Sequence, residues 1–139
     1  MTQAAASPAV VLDTNIVLDL YLFDDPPARP VRAAVESGAW RWLATAPMRE
    51  ELARVLAYPQ IVPRLAFHGR AADAVLAQFD RWAQLVPAAD KAPITCKDPD
   101  DQRFIDLAVA HGARLLSKDK AVLVMRRRME RLGALAERP

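Results

Sequence analysis

Four carboxylates of this 139-residue chain stand where apolar segments begin or end: Asp13, Glu51, Asp101 and Asp119. Asp13 directly follows "AVVL" and Asp119 follows "RLLSK", two runs that read as short buried strands, so both acids fall at strand carboxyl ends. In "MREELARVL" the apolar residues Met48, Leu52, Val55 and Leu56 form one helical stripe. At about 100° per residue, Glu50 lies roughly 175° from the centre of that stripe and Glu51 roughly 85° from it. Glu50 is therefore expected in water and Glu51 at the border of the core. In "KDPDDQRFIDLAVAHG", Asp98 is placed as the N-cap and Pro99 at the first helical position. Asp101 then shares a face with Phe104, Leu107 and Ala108, Asp100 lies to one side, and Asp106 is expected to point into solvent.

Four carboxylates brought to one place without basic partners repel one another and hold their protons more tightly. A hard divalent cation removes that conflict, because Mg2+ and Mn2+ prefer oxygen ligands. Taken singly, each acid has a plainer use. Asp13 and Asp101 would cap helices, Glu51 would pair with Arg54, and Asp119 would serve a turn. The ordered set favours metal binding.

The elements around these acids alternate between strand and helix. Strands are expected at Ala9–Leu12, Trp40–Thr45, Leu85–Ala88 and Ala113–Ser117. Helices are expected at Ile16–Leu22, Val31–Ser37, Pro47–Ala57, Gln60–Leu65, Arg70–Leu85, Asp98–His111 and Lys120–Leu132. This alternation predicts an α/β fold, a three-layer α/β/α sandwich with a mainly parallel central sheet. In such folds ligands gather beyond the carboxyl ends of the strands, where Asp13 and Asp119 fall.

Composition narrows the functional classes. Hydrophobic residues make up 53% and charged residues 26%, as in globular domains. No apolar run approaches the ~20 residues of a membrane span. "MTQAAASP" lacks a basic start, so a signal peptide is not expected and a cytoplasmic location is. Residues 1–7 read as a flexible arm and 8–139 as one domain. The single cysteine, Cys96, excludes an internal disulfide and a cysteine-based zinc site, and no catalytic role is assigned to it. Four glycines form no phosphate-cradling loop, three serines form no nucleophile elbow, and His68 and His111 are too few for a histidine metal cluster. The net charge is +2. With the four acids set aside, 19 basic residues face 13 acidic ones, which leaves a basic exterior. Arg126, Arg127, Arg128 and Arg131 lie close on one helix and could hold phosphate groups, although a solvated face is the commoner use of such a run. Trp40, Trp42 and Trp82 read as core or interface anchors.

In order and spacing, "VVLDTNIVL", "MREELARVLAYP" and "KDPDDQRFIDLAVAHGARLLSKDKAVL" resemble a PIN-domain ribonuclease, nearest to the VapC-like toxins of type II toxin–antitoxin modules. The resemblance implies Mg2+- or Mn2+-dependent endonucleolytic cleavage of RNA. It assigns Asp13, Glu51, Asp101 and Asp119 as catalytic metal ligands, and Asn15 and Ser117 as the polar residues that orient them. Asp98 also matches a family position, though it can serve simply as a cap. A small antitoxin that blocks the acidic crevice, an arginine of which competes with the metal, is implied too, and a homodimer is compatible. One departure is visible: family members usually close with a further strand, whereas here only "ALA" (Ala134–Ala136) follows the long basic helix. Two rivals have distinct signatures. A haloacid-dehalogenase-like phosphatase would want a second aspartate where Asn15 stands, and a catalytically silent PIN-like RNA- or protein-binding module would fail to bind Mn2+.

Overall fold

A computed structural model describes residues 7–139. The arm expected over residues 1–7 lies outside the described residues as far as residue 6. Ser7 itself is tied down: its hydroxyl donates to the Gly38 carbonyl (2.7 Å), and its own carbonyl accepts from Arg41 Nε (2.9 Å).

Five strands carry the fold: β1 (Ala9–Leu12), β2 (Arg41–Ala44), β3 (Gln84–Leu85), β4 (Arg114–Leu116) and β5 (Leu135–Glu137). They form one sheet in the order β3-β2-β1-β4-β5, and every neighbouring pair is parallel. Parallel neighbours need long crossovers. The crossovers supply α1 (Thr14–Tyr21), α2 (Arg29–Glu36), α3 (Ala46–Leu56), α4 (Val62–Phe67), α5 (Ala72–Trp82), α6 (Gln102–His111), α7 (Lys120–Leu123) and α8 (Arg126–Arg131). These helices flank the sheet in the expected α/β/α arrangement. Because β1 is central, the chain proceeds outward through β2 and β3, then crosses back to β4 on the other side. Strand order thus reverses between β1 and β4, and a crevice opens at their carboxyl ends.

The apolar runs explain the core. Val10, Val11 and Leu12 of β1 are at most 3% exposed, as a central strand covered on both faces requires. Ile16, Leu20, Leu43, Leu52, Ile105 and Leu115 close around them. Trp42 is fully buried edge-on against Phe79 with ring centroids 5.1 Å apart, while Trp40 and Trp82 are half-buried beneath the guanidinium groups of Arg114 and Arg81.

Several local expectations change. The helix expected to reach Leu85 stops at Trp82, and the strand lies at Gln84–Leu85 instead of Leu85–Ala88, extended only by Val86 N–H bonding to Ala44 O (2.9 Å). Pro87 has no N–H with which to continue the ladder. The single helix expected over Lys120–Leu132 is two helices. At Val124–Met125 the chain tightens, Met125 N–H reaching the Val122 carbonyl three residues back (2.9 Å), and this keeps Val122, Met125 and Met129 all buried. The closing strand exists but is short: β5 pairs with β4 in the register Arg114↔Leu135 to Leu116↔Glu137. Gly133, at φ 85°, makes the turn into it.

Asp106 also corrects the sequence reading. It is buried, not solvated: its Oδ1 accepts from Ala92 N–H (2.9 Å) and from Gln102 Nε2 (2.7 Å). Gln102 also donates to Ile94 O (3.0 Å) and accepts from Cys96 N–H (2.6 Å). The face of α6 turned from the sheet is therefore covered by the loop between β3 and α6. That loop has backbone groups of its own to satisfy.

Candidate metal centre

Each strand end delivers its acid as the sequence suggested. Asp13 N–H continues the ladder to Leu116 O (3.1 Å), so β1 holds the residue in the sheet up to the point where α1 departs. The Asp13 carbonyl accepts from Ile16 and Val17 N–H and starts that helix, yet its carboxylate makes no capping bond among the described residues. The residue is 4% exposed, and its carboxylate turns to Ser117. Asp119 follows β4 and does cap: its Oδ1 accepts from Ala121 N–H at the start of α7 (2.9 Å). Asp101 ends a 3-10 turn, Pro99–Asp101, which Asp98 opens by accepting from Asp100 N–H (3.0 Å).

Asp13, Asp101 and Asp119 each present a carboxylate oxygen, and these oxygens all lie within 4.8 Å of one another. Ser117, completely buried, bridges two of them. Its hydroxyl donates to Asp13 Oδ2 (2.7 Å) and accepts from Asp119 N–H (3.0 Å). The cation next along the chain, Lys118, is engaged elsewhere, 2.6 Å from Asp19 Oδ2. With no basic side chain among the three, Asp13 and Asp101 hold their protons more tightly than free carboxylates do. Burial pushes Asp13 up, with the charges of Asp119 and Glu51 adding to it, against the Ser117 hydroxyl and the backbone N–H of Asn15. Asp101 is pushed up to about 8, first by burial, then by the Asp119 carboxylate beside it and by the charge of Asp13. Its Oδ2 is buried without a hydrogen-bond partner among the described residues. An orphaned carboxylate oxygen inside an all-oxygen donor set fits a hard divalent cation, which would replace both the missing partner and the missing charge.

Glu51, the fourth acid, stands apart from these three. It lies on the wall of the same cleft, a space of about 340 Å3 that Asp13 and Asp101 also line. Its Oε2 accepts a short hydrogen bond from the Thr14 hydroxyl, and Arg103 Nη1 stands 3.8 Å from its Oε1. Of the residues expected to orient the carboxylates, Ser117 contacts the Asp13 carboxylate and the backbone N–H of Asp119, and Asp98 works as the cap of the turn that ends at Asp101. Asn15 is exposed on the cleft wall, and its side chain has no hydrogen bond among the described residues. Thr14 is the residue that sequence reasoning missed. It follows Asp13, but its reach to Glu51 depends on how α1 and α3 cross.

The arginines of α8 are exposed. Arg126, Arg127, Arg128 and Arg131 surround a separate hollow of about 380 Å3, and none of them pairs with a carboxylate among the described residues. Cys96 is buried, with its thiol 3.4 Å from Ala121 O, and burial pushes its pKa up.

No helix among the described residues is long and apolar enough to cross a membrane. No curated protein matches the chain. A protein-family model described as PIN domain matches residues 9–121, from the first residue of β1 to the start of α7, and so takes in Asp13, Glu51, Asp101 and Asp119. The chain belongs to the PIN domain family, whose members are generally nucleases that use divalent metals.

Proposed function

We propose that this chain is an endoribonuclease dependent on Mg2+ or Mn2+, acting as the toxin of a toxin–antitoxin module in the cytoplasm. The observation that carries the reading is the trio of buried Asp13 and Asp101 with half-buried Asp119, with an orphaned oxygen on Asp101 and no basic side chain to offset its charge. These three residues would hold the metal. When bound, the ion supplies positive charge that makes a water acidic enough to attack phosphorus at neutral pH and offsets the charge of the phosphate.

The chain's own residues do the rest. Ser117 fixes the rotamer of Asp13 and, through the Asp119 amide, the position of the α7 cap, so two ligands are set by one buried hydroxyl. Thr14 and Arg103 hold Glu51 on the cleft wall, where its carboxylate can orient the attacking water or serve a second cation. No side-chain nucleophile is needed. The Ser117 hydroxyl is committed to two partners and Cys96 is buried, so neither is placed as a nucleophile, and water is the attacking group in this mechanism. The unpaired arginines of α8 offer a hold on RNA phosphates away from the reacting bond. The toxin role rests on the "DTN", "ELARVL" and "DPDD" signatures. Its cognate antitoxin would be a small protein that places an arginine in the acidic cleft.

Asp13→Asn removes one ligand charge while keeping shape, so metal-dependent cleavage of single-stranded RNA should vanish with the fold intact by circular dichroism. Full activity in that variant, purified away from host nucleases, would exclude the mechanism.

A further inference from the structure

Two arginines, Arg54 and Arg103, line the cleft that Asp13, Asp101 and Glu51 also line, and their presence there needs an explanation. A positive group beside a cation site weakens cation binding, and these two lie on the wall formed by α3 and α6. Arg54 is exposed and has no carboxylate partner among the described residues. The contrast with Arg49 on the same helix is informative, because Arg49 forms a two-pronged pair with Asp80 at 2.7 and 2.8 Å. Arg103 is held only loosely, 3.8 Å from Glu51 Oε1 and 3.4 Å from Pro47 O. Both guanidinium groups are therefore available to an anion that enters the cleft.

Tyr58 completes this wall. Glu51, Val55 and Tyr58 follow one another at helical spacing, so the ring lies one turn beyond Val55 on the cleft side. Its backbone is fixed at both ends. Tyr58 N–H donates to Val55 O (3.0 Å), and Tyr58 O accepts from Ile61 and Val62 N–H (2.9 and 3.0 Å). Yet the residue is 42% exposed. A half-open aromatic ring on a fixed backbone, on the same cleft wall as one unpaired and one loosely held guanidinium group, has the makings of a base-stacking platform next to a phosphate fork.

We infer that Arg54, Arg103 and Tyr58 form a nucleotide subsite of the cleft, in which the two arginines take a phosphate adjoining the scissile one and Tyr58 stacks on its base. The ligand is one nucleoside monophosphate unit of a single-stranded RNA. A duplex would keep its bases stacked and out of reach of the ring. The identity of that ligand rests on the nuclease reading, but the subsite itself rests on the wall geometry. Because every base has a π-face, the subsite favours unpaired nucleotides over any particular sequence.

Calorimetric titration of AMP, adenosine and inorganic phosphate into the full-length, Mg2+-loaded protein tests this. AMP affinity should fall about tenfold in Arg54→Gln, Arg103→Gln and Tyr58→Ala, and should survive in Tyr58→Phe. Phosphate binding should respond only to the arginines and adenosine binding only to Tyr58. Mn2+ affinity should rise, not fall, in Arg54→Gln, since a like charge has been removed from the cleft. With single-stranded RNA as substrate, KM should rise in Arg54→Gln and Tyr58→Ala while kcat changes little. Arg54 is exposed, so its variant reports on binding without a folding defect. AMP affinity equal to wild type in these variants, or no AMP binding by wild type, overturns the subsite and leaves the nuclease reading standing wherever wild type still cuts RNA. AMP binding with this residue dependence in a protein that cuts no RNA in Mg2+ or Mn2+ overturns the nuclease reading and leaves the subsite standing.

Discussion

Asp101→Asn should make the metal-free protein more stable at neutral pH, although it deletes a residue at the heart of the proposed site. In the folded chain the Asp101 carboxyl is pushed from 3.8 up to about 8, by burial and by the Asp119 and Asp13 carboxylates. A folded-state pKa above the unfolded one stabilises the fold only while the pH lies below the unfolded value. That contribution is lost as pH rises toward 8. Relative to acid pH, the shift costs about 4 kcal/mol at pH 7, at 1.36 kcal/mol per unit. Charge shared among the three carboxylates spreads the penalty, and asparagine recovers about half of it, ~2 kcal/mol, or roughly 8 °C in melting temperature for a chain of this length. Melting by circular dichroism in EDTA should show variant and wild type level near pH 4 and diverging steadily to pH 8. Saturating Mn2+ should reverse the order, since wild type gains about 2.7 kcal/mol at a hundredfold excess over Kd while the variant has lost a ligand. A variant that melts below wild type in EDTA at pH 7, or by the same margin at pH 4 and pH 8, would refute the claim that these carboxylates compete for charge.

Ser117→Ala should lower Mn2+ affinity about 10- to 100-fold by calorimetry, because Asp13 and the Asp119 amide lose their common partner. An unchanged affinity would remove Ser117 from the site. Asp106→Ala should cost about 1–3 kcal/mol in urea denaturation, since Ala92 N–H and Gln102 Nε2 lose their acceptor. Hydrogen exchange should quicken selectively over residues 86–98, and uniform quickening across the chain would count against a local pin. Trp42→Ala should cost about 3–5 kcal/mol by the same measurement, its ring being fully buried against Phe79.

The two strand-end acids were legible because an apolar strand followed by a carboxylate fixes both a residue's place in a parallel sheet and the edge it faces. Asp101 was legible because its neighbours Phe104, Leu107 and Ala108 define a buried face that points back over it. Helical geometry also placed Glu51 correctly at a border, but its partners were hidden. Thr14 lies 37 residues away, and the contact exists only because α1 crosses α3 at that point. Asp106 was misread for a related reason. A helix wheel locates the face toward the sheet and has no information about a later covering by a loop. The break at Val124–Met125 and the three-residue β5 leave too short a pattern for periodicity to resolve, and both are decided by which side chains the sheet can bury.

The bond between Ser117 and Asp13 spans 104 positions of the chain. Residues this far apart cannot meet until the chain between them has been made, and closing so long a loop carries an entropic cost. During synthesis the first acid leaves the ribosome long before the last two, and no partial chain ending before Asp119 can assemble the trio. Whatever chemistry the trio performs must therefore wait for a nearly finished polypeptide, because the strand that delivers Asp119 comes fourth in the chain yet pairs with the first.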